Sequence, residues 1–99
     1  FMSPEMTVRK EMGLTYADFF RSLSQLPRGW VHETYSDGAT LQYADGTINI
    51  SLGPQCERRL TALVNIPFVE VTFRYAGLSE AERGCFQSRF DLTFQRGGG

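Results

Sequence analysis

The sequence predicts an α+β two-layer sandwich: an antiparallel sheet of about five strands with two helices on one face, in the order strand, helix, four or five strands, helix. Three observations carry that prediction. Two segments open with the paired residues of a helix capping box. Between them the apolar period shortens to two, interrupted by Asp-Gly and Gly-Pro pairs. The last segment sets Phe86, Phe90 and Phe94 four residues apart, on one side of a helix that needs a sheet to cover.

In chain order, Met6 to Met12 alternates apolar and polar residues and reads as a short, charged edge strand. Thr15 followed by Asp18 forms the first capping box, with Leu14 and Phe19 in the hydrophobic-staple positions, so a helix starts at Tyr16. Its apolar face is Tyr16, Phe19, Phe20, Leu23 and Leu26, and Pro27 with Gly29 ends it. From Trp30 the chain reads as a meander. Strands fall near Trp30 to Tyr35, Thr40 to Tyr43 and Thr47 to Leu52, divided at Asp37-Gly38 and Asp45-Gly46, with Leu41, Tyr43, Ile48, Ile50 and Leu52 inward. After Gly53-Pro54, Glu57 to Val64 and Phe68 to Tyr75 read as two longer strands joined at Asn65-Ile66-Pro67. In the second, Val69, Val71, Phe73 and Tyr75 share an apolar face, while Phe68, Glu70, Thr72 and Arg74 share a mixed one. One apolar and one mixed face predict a sheet covered on one side only. Ser79 with Glu82 repeats the capping box and opens the final helix, where Leu78, Ala81, Cys85 and Leu92 form a second apolar row beside the phenylalanines. Residues 1–96 thus read as one domain and 97–99 as a flexible glycine tail.

Composition bounds the function. Ninety-nine residues, 41% hydrophobic and 21% charged, make one ordinary domain, and its thirteen aromatic residues supply much of the core. Net charge is −1, with ten basic residues scattered along the chain, so no phosphate-tracking footprint points to nucleic acid. No apolar run approaches a membrane span and no secretory leader precedes the domain, which reads as cytoplasmic with no membrane partner. Phe1 ahead of Met2 reads as a leftover of expression and is set aside. Cys56 and Cys85 lack zinc or dithiol spacing, and the plainer reading makes them small buried side chains in a reducing compartment. No cofactor or metal is implied.

The element order resembles TATA-binding-protein-like and related helix-on-sheet folds, a likeness of order alone that leaves function open. The ending Arg89-Phe90-Asp91-Leu92-Thr93-Phe94-Gln95-Arg96-Gly97-Gly98-Gly99 resembles the tail of small uncharacterised bacterial proteins, and that resemblance implies no activity.

Candidate chemistry is sparse. His32, the single histidine, has no acid, nucleophile or second ligand close in sequence, and a catalytic role would require the fold to bring Cys56 or Cys85 to it. Glu70 sits mid-strand where a carboxylate could serve a site or pair with Arg58 or Arg59 across the strands. Arg58 or Arg59 could lie alongside Arg74 and receive an anion, against the plainer reading of a solvated, charge-blunted face. No nucleotide, hydrolase or zinc-protease motif occurs. The residues therefore favour a noncatalytic binding domain using Arg59, Phe68, Glu70, Thr72 and Arg74 toward a protein partner or a second copy. Two alternatives remain. One is a ubiquitin-like sulfur carrier or modifier acting through Gly98 and Gly99, which would need a β-grasp core with a strand running into the tail. The other is a small-molecule pocket between helices and sheet.

Overall fold

The computed structural model describes residues 5–97. Its elements are β1 (Met6–Met12), α1 (Tyr16–Leu23), β2 (Val31–Tyr35), β3 (Gly38–Tyr43), β4 (Gly46–Leu52), β5 (Cys56–Arg59), β6 (Asn65–Ala76) and α2 (Glu80–Gly97). The fold is α+β, with a six-stranded antiparallel sheet in the order β1-β6-β4-β3-β2, and β5 pairs with β6 outside that run. Both helices lie on one side. Gly97 is the last residue of α2, so helix replaces the first residue of the expected glycine tail, while Gly98 and Gly99 lie outside the described residues.

β6 organises the sheet because its alternation is the cleanest in the chain. Val69, Val71 and Phe73 are fully buried and Tyr75 nearly so, while Glu70 and Arg74 between them are exposed. β1 pairs along one side of β6, from Met12 opposite Val69 to Met6 opposite Tyr75. β4 pairs along the other, from Leu52 opposite Val71 to Thr47 opposite Ala76. The core closes with Leu41, Ile48, Ile50 and Leu52 from the meander, Phe19 and Leu23 from α1, and Leu26 from the turn that follows it, since the helix ends at Leu23 rather than running on to Pro27.

Both helices start where their capping boxes place them. The Thr15 hydroxyl accepts from the Asp18 amide at 3.1 Å and the Asp18 carboxylate accepts from the Thr15 amide at 3.3 Å. Those bonds from Thr15, backbone first, hold the Asp18 carboxyl below its ordinary 3.8, with the Arg21 charge adding to them against desolvation. At α2, Ser79 and Glu82 make the same reciprocal pair at 3.1 and 2.8 Å. Leu14 and Phe19 are both buried, as a staple requires.

The phenylalanine row of α2 forms the interior. Phe86 and Phe90 are fully buried and Phe94 nearly so, with Phe90 edge-on to Phe73 at 4.9 Å and Phe94 5.3 Å from Phe19. The second row is corrected. Ala81, Cys85 and Leu92 are exposed and only Leu78, ahead of the helix, is buried. The sheet and α1 together cover one narrow stripe of α2, and these residues lie on the side away from it.

Both Asp-Gly pairs mark hairpins, but each turn sits one residue earlier than the pair. Tyr35 pairs with Gly38 and Tyr43 with Gly46, so the glycines are the first residues of β3 and β4. Close approach explains them: a Cβ on Gly38 would lie 2.1 Å from the Ile50 carbonyl oxygen, and one on Gly46 2.5 Å from that of Ala76. The left-handed backbone of the second turn falls on Ala44, at φ 52°.

The largest departure concerns Asn65-Ile66-Pro67. These residues belong to β6, and the reversal lies at residues 60–64 instead. The Gly53 amide donates to the Glu70 carbonyl, so even-numbered residues of β6 turn their backbone groups toward β4 and β5 and odd-numbered ones toward β1. β1 ends opposite Val69. Pro67 therefore points its missing donor at a vacant edge, the position where proline is tolerated in a strand. The result is an arm: β5 and the first residues of β6 form a hairpin that extends past the end of β1, and every residue from Cys56 to Ile66 is exposed.

Candidate functional site

The sheet side away from the helices is open along all its central strands. The registers align Thr7, Arg74 and Asn49 across β1, β6 and β4, then Arg9, Thr72 and Ser51, then Glu11 and Glu70. Toward the other edge, Tyr35, Thr40 and Asn49 join through their side chains, with the Tyr35 hydroxyl 2.9 Å from Thr40 Oγ1 and that hydroxyl donating to Asn49 Oδ1 at 2.9 Å. Tyr35 also donates to Glu33 at 2.7 Å. This surface is hydrophilic and carries both charges.

Of the residues singled out in the sequence, Glu70, Thr72 and Arg74 share this open face, Thr72 half-buried and the other two exposed. Phe68 continues the same side onto the neck of the arm, where the Arg58 guanidinium lies 4.8 Å from its ring centroid. Arg58 also donates to Glu11 Oε1 at 2.6 Å, bracing the arm against β1. Because Glu11 stands directly opposite Glu70, Arg58 offsets one charge of an otherwise like-charged pair.

Arg59 departs from the expected cluster. It pairs with Asn65, one residue out of phase with the Arg58–Ile66 and Cys56–Phe68 pairs, and so faces the other side of the arm. Arg74 is six residues along β6 from Phe68, about 20 Å at strand rise. The strands do not bring Arg58 or Arg59 alongside Arg74, which corrects the proposed arginine pair. The expected pairing of Glu70 with either arginine is also replaced, since Arg58 takes Glu11. Among the described residues Arg9, Arg59, Glu70 and Arg74 make no salt bridge.

Period alone did not disclose the apolar end of the arm. Leu63 is 94% exposed, and Leu60, Val64 and Ile66 are 57%, 46% and 40% exposed. The tip is nonetheless ordered by its own bonds. The Leu60 amide donates to the Val64 carbonyl at 2.9 Å, and Thr61 Oγ1 accepts from the amides of Leu63 and Val64 at 3.2 and 3.1 Å. A signal was present in the sequence: an apolar run, Leu60 to Ile66, without the alternation that a half-buried strand would show.

The remaining candidates gain no chemistry. Cys56 and Cys85 are free and exposed, one on the arm and one on the outer side of α2, which corrects the expectation of buried side chains. Cys56 Sγ donates to the Pro54 carbonyl at 3.4 Å, and no hydrogen bond among the described residues joins either cysteine to His32. Among the described residues no cluster of three or more His, Cys, Asp or Glu is arranged to hold a metal ion. No described helix is long and apolar enough to cross a membrane.

Sequence reasoning also missed a polar chain along one flank of α2. Lys10 Nζ lies 2.9 Å from Asp91 Oδ1, Gln87 Nε2 donates to the same oxygen at 2.8 Å, and the Tyr75 hydroxyl donates to Gln87 Oε1. Burial first, then the Asp91 charge, push the Tyr75 phenol up to about 12, against a smaller opposing effect of Arg83.

No family model, curated protein or solved structure matches the chain.

Proposed function

We propose that this chain is a noncatalytic interaction domain whose contact surface is the open side of the sheet, Phe68, Glu70, Thr72 and Arg74, continued onto the arm. The observation that carries the reading is the arm itself: four large apolar side chains stand in solvent at the end of a bonded hairpin, beside a sheet face that both helices leave uncovered. Water contact of that apolar area is unfavourable by roughly 25 cal/mol per Å², and patches of this kind mark contact sites. On the adjoining sheet face Arg74, Arg9 and Glu70, which make no salt bridge among the described residues, supply groups that fix orientation rather than drive binding.

The sulfur-carrier alternative calls for a strand running into Gly98 and Gly99, whereas residues 80–97 are helix and, among the described residues, α1 follows a single strand rather than the hairpin of a β-grasp core. Its support is the glycine pair alone.

A photo-crosslinking amino acid at Thr72 or Arg74, compared with one at Ser88 on the outer side of α2, tests the reading in the living cell. Protein adducts at the two sheet positions and none at Ser88 are expected. Adducts at Ser88 alone, or at none of the three, would overturn it.

A further inference from the structure

Two arginines of the open sheet face stand together with no acid between them. Arg9 lies opposite Thr72 and Arg74 opposite Thr7, so the two are diagonal neighbours across β1 and β6 on the same side of the sheet. Diagonal positions on one face are about 7–8 Å apart, within reach of long side chains. Both arginines are exposed and make no salt bridge or side-chain hydrogen bond among the described residues. The side chains around them are donors as well. Thr7 and Thr72 complete the rectangle, and β4 sets Asn49 beside Arg74 and Ser51 beside Thr72. Asn49 Oδ1 already accepts from Thr40, which leaves the amide N–H groups uncommitted. The hydroxyls of Thr7, Thr72 and Ser51 are uncommitted too.

Charge on this face is sorted rather than mixed. A face that needs only solubility gains from opposite charges placed directly across the strands, and like charges placed there are destabilising. Here each arginine faces a threonine, while Glu11 faces Glu70 at the next aligned pair and Arg58 pairs with Glu11. Glu5 immediately precedes β1, and Glu33 lies toward the β2 edge, bonded to Tyr35. The basic centre is thus two side chains wide, with carboxylates around it. A polyanion such as nucleic acid or an anionic lipid surface would bring its next charges against those carboxylates. A single carboxylate has one charge and two oxygens, and it gains little at an exposed arginine. A phosphorylated side chain carries about −1.5 to −2 charge and three acceptor oxygens, which matches two guanidinium forks flanked by hydroxyl and amide donors. We propose that Arg9 and Arg74 together bind the phosphate of a phosphorylated side chain on the protein partner, with Asn49 and the Thr7 and Thr72 hydroxyls completing its hydrogen bonds. Given the sheet-face reading on which this site rests, the arm supplies apolar area and the arginine pair selects the phosphorylated form of the partner.

NMR titration of the full chain at constant ionic strength, followed at the arginine Nε–H signals, tests the site with two probes: acetyl-Gly-phosphoserine-Gly-amide and the same peptide with aspartate in place of phosphoserine. The phosphopeptide should give saturable shifts at Arg9 and Arg74 and none at Arg28, which is exposed in the loop before β2. Arg9→Gln and Arg74→Gln, both at exposed side chains, should each lower phosphopeptide affinity at least about tenfold, as should the change from phosphoserine to aspartate, while Arg28→Gln leaves it unchanged. Shifts that are absent, or equal at Arg28, would overturn the proposal. So would an aspartate peptide that binds as well, or variants that bind like the wild type. Protein adducts captured by the photo-crosslinker at Thr72 should carry phosphate and should disappear when a lysate is treated with phosphatase before irradiation. Thr72 adducts that lack phosphate would overturn the phosphate site and leave the sheet-face reading standing. Absence of Thr72 adducts from the untreated cell would overturn both.

Discussion

Replacing Phe90 with alanine tests how α2 is held. The ring is fully buried, 4.9 Å from Phe73 in an edge contact, 3.9 Å from Phe94 in a stacked one and 5.9 Å from Phe86. Truncating such a side chain removes its transfer free energy and leaves a cavity that rigid neighbouring rings fill poorly, for a loss of about 3–5 kcal/mol. A domain of this size has only about 5–15 kcal/mol of stability, so the loss is a large fraction of the whole. At a urea dependence of about 1–3 kcal/mol per molar, the unfolding midpoint should fall by roughly 1–5 M. Leu92→Ala, two residues on but 45% exposed, is the control and should change stability by no more than about 0.5 kcal/mol. Urea unfolding followed by Trp30 fluorescence measures both, since Trp30 lies 5.4 Å from Phe86. A small shift for Phe90→Ala, or an equal one for Leu92→Ala, would refute the assignment of the buried stripe.

Two further predictions concern a titration and a turn. The Tyr75 phenol is raised to about 12 in the fold against an ordinary 10.0, so its contribution is complete below pH 10 and is lost as pH rises toward 12, up to about 2–3 kcal/mol; urea midpoints from pH 8 upward should fall more steeply for the wild type than for Tyr75→Phe, and parallel curves would contradict this. Ala44→Gly relieves a left-handed alanine and should raise thermal stability by about 1 kcal/mol or less, whereas Gly46→Ala drives a Cβ against the Ala76 carbonyl and should lower it by more than about 1 kcal/mol; the opposite order in a melting experiment would contradict the turn geometry.

The local rules were legible in the sequence where a residue's partner lies within one or two turns of the chain. Thr15 with Asp18 and Ser79 with Glu82 specify their helix starts because both halves of each cap are three residues apart. β6 was legible because its alternation is unbroken from Val69 to Tyr75. Features that depend on distant partners were not. Lys10 and Asp91 meet across 81 positions, and nothing in the neighbourhood of either names the other. Cys85 and Leu92 share helical spacing with the buried row, but spacing does not tell how wide a stripe the sheet will cover. Asn65-Ile66-Pro67 resembles a turn until the length of β1 is known, because only the vacancy beyond Met12 makes room for proline in the strand. For the same reason the open sheet face was readable from Glu70, Thr72 and Arg74, while the arm that extends it was not.

The most direct test of the binding account is hydroxyl-radical footprinting of the protein inside the cell and after purification. Phe68, Leu60 and Leu63 should lose reactivity in the cell, while Leu92 on the outer side of α2 stays equally reactive in both. Unchanged reactivity along the arm and at Phe68, with or without protection of Leu92, would contradict the account.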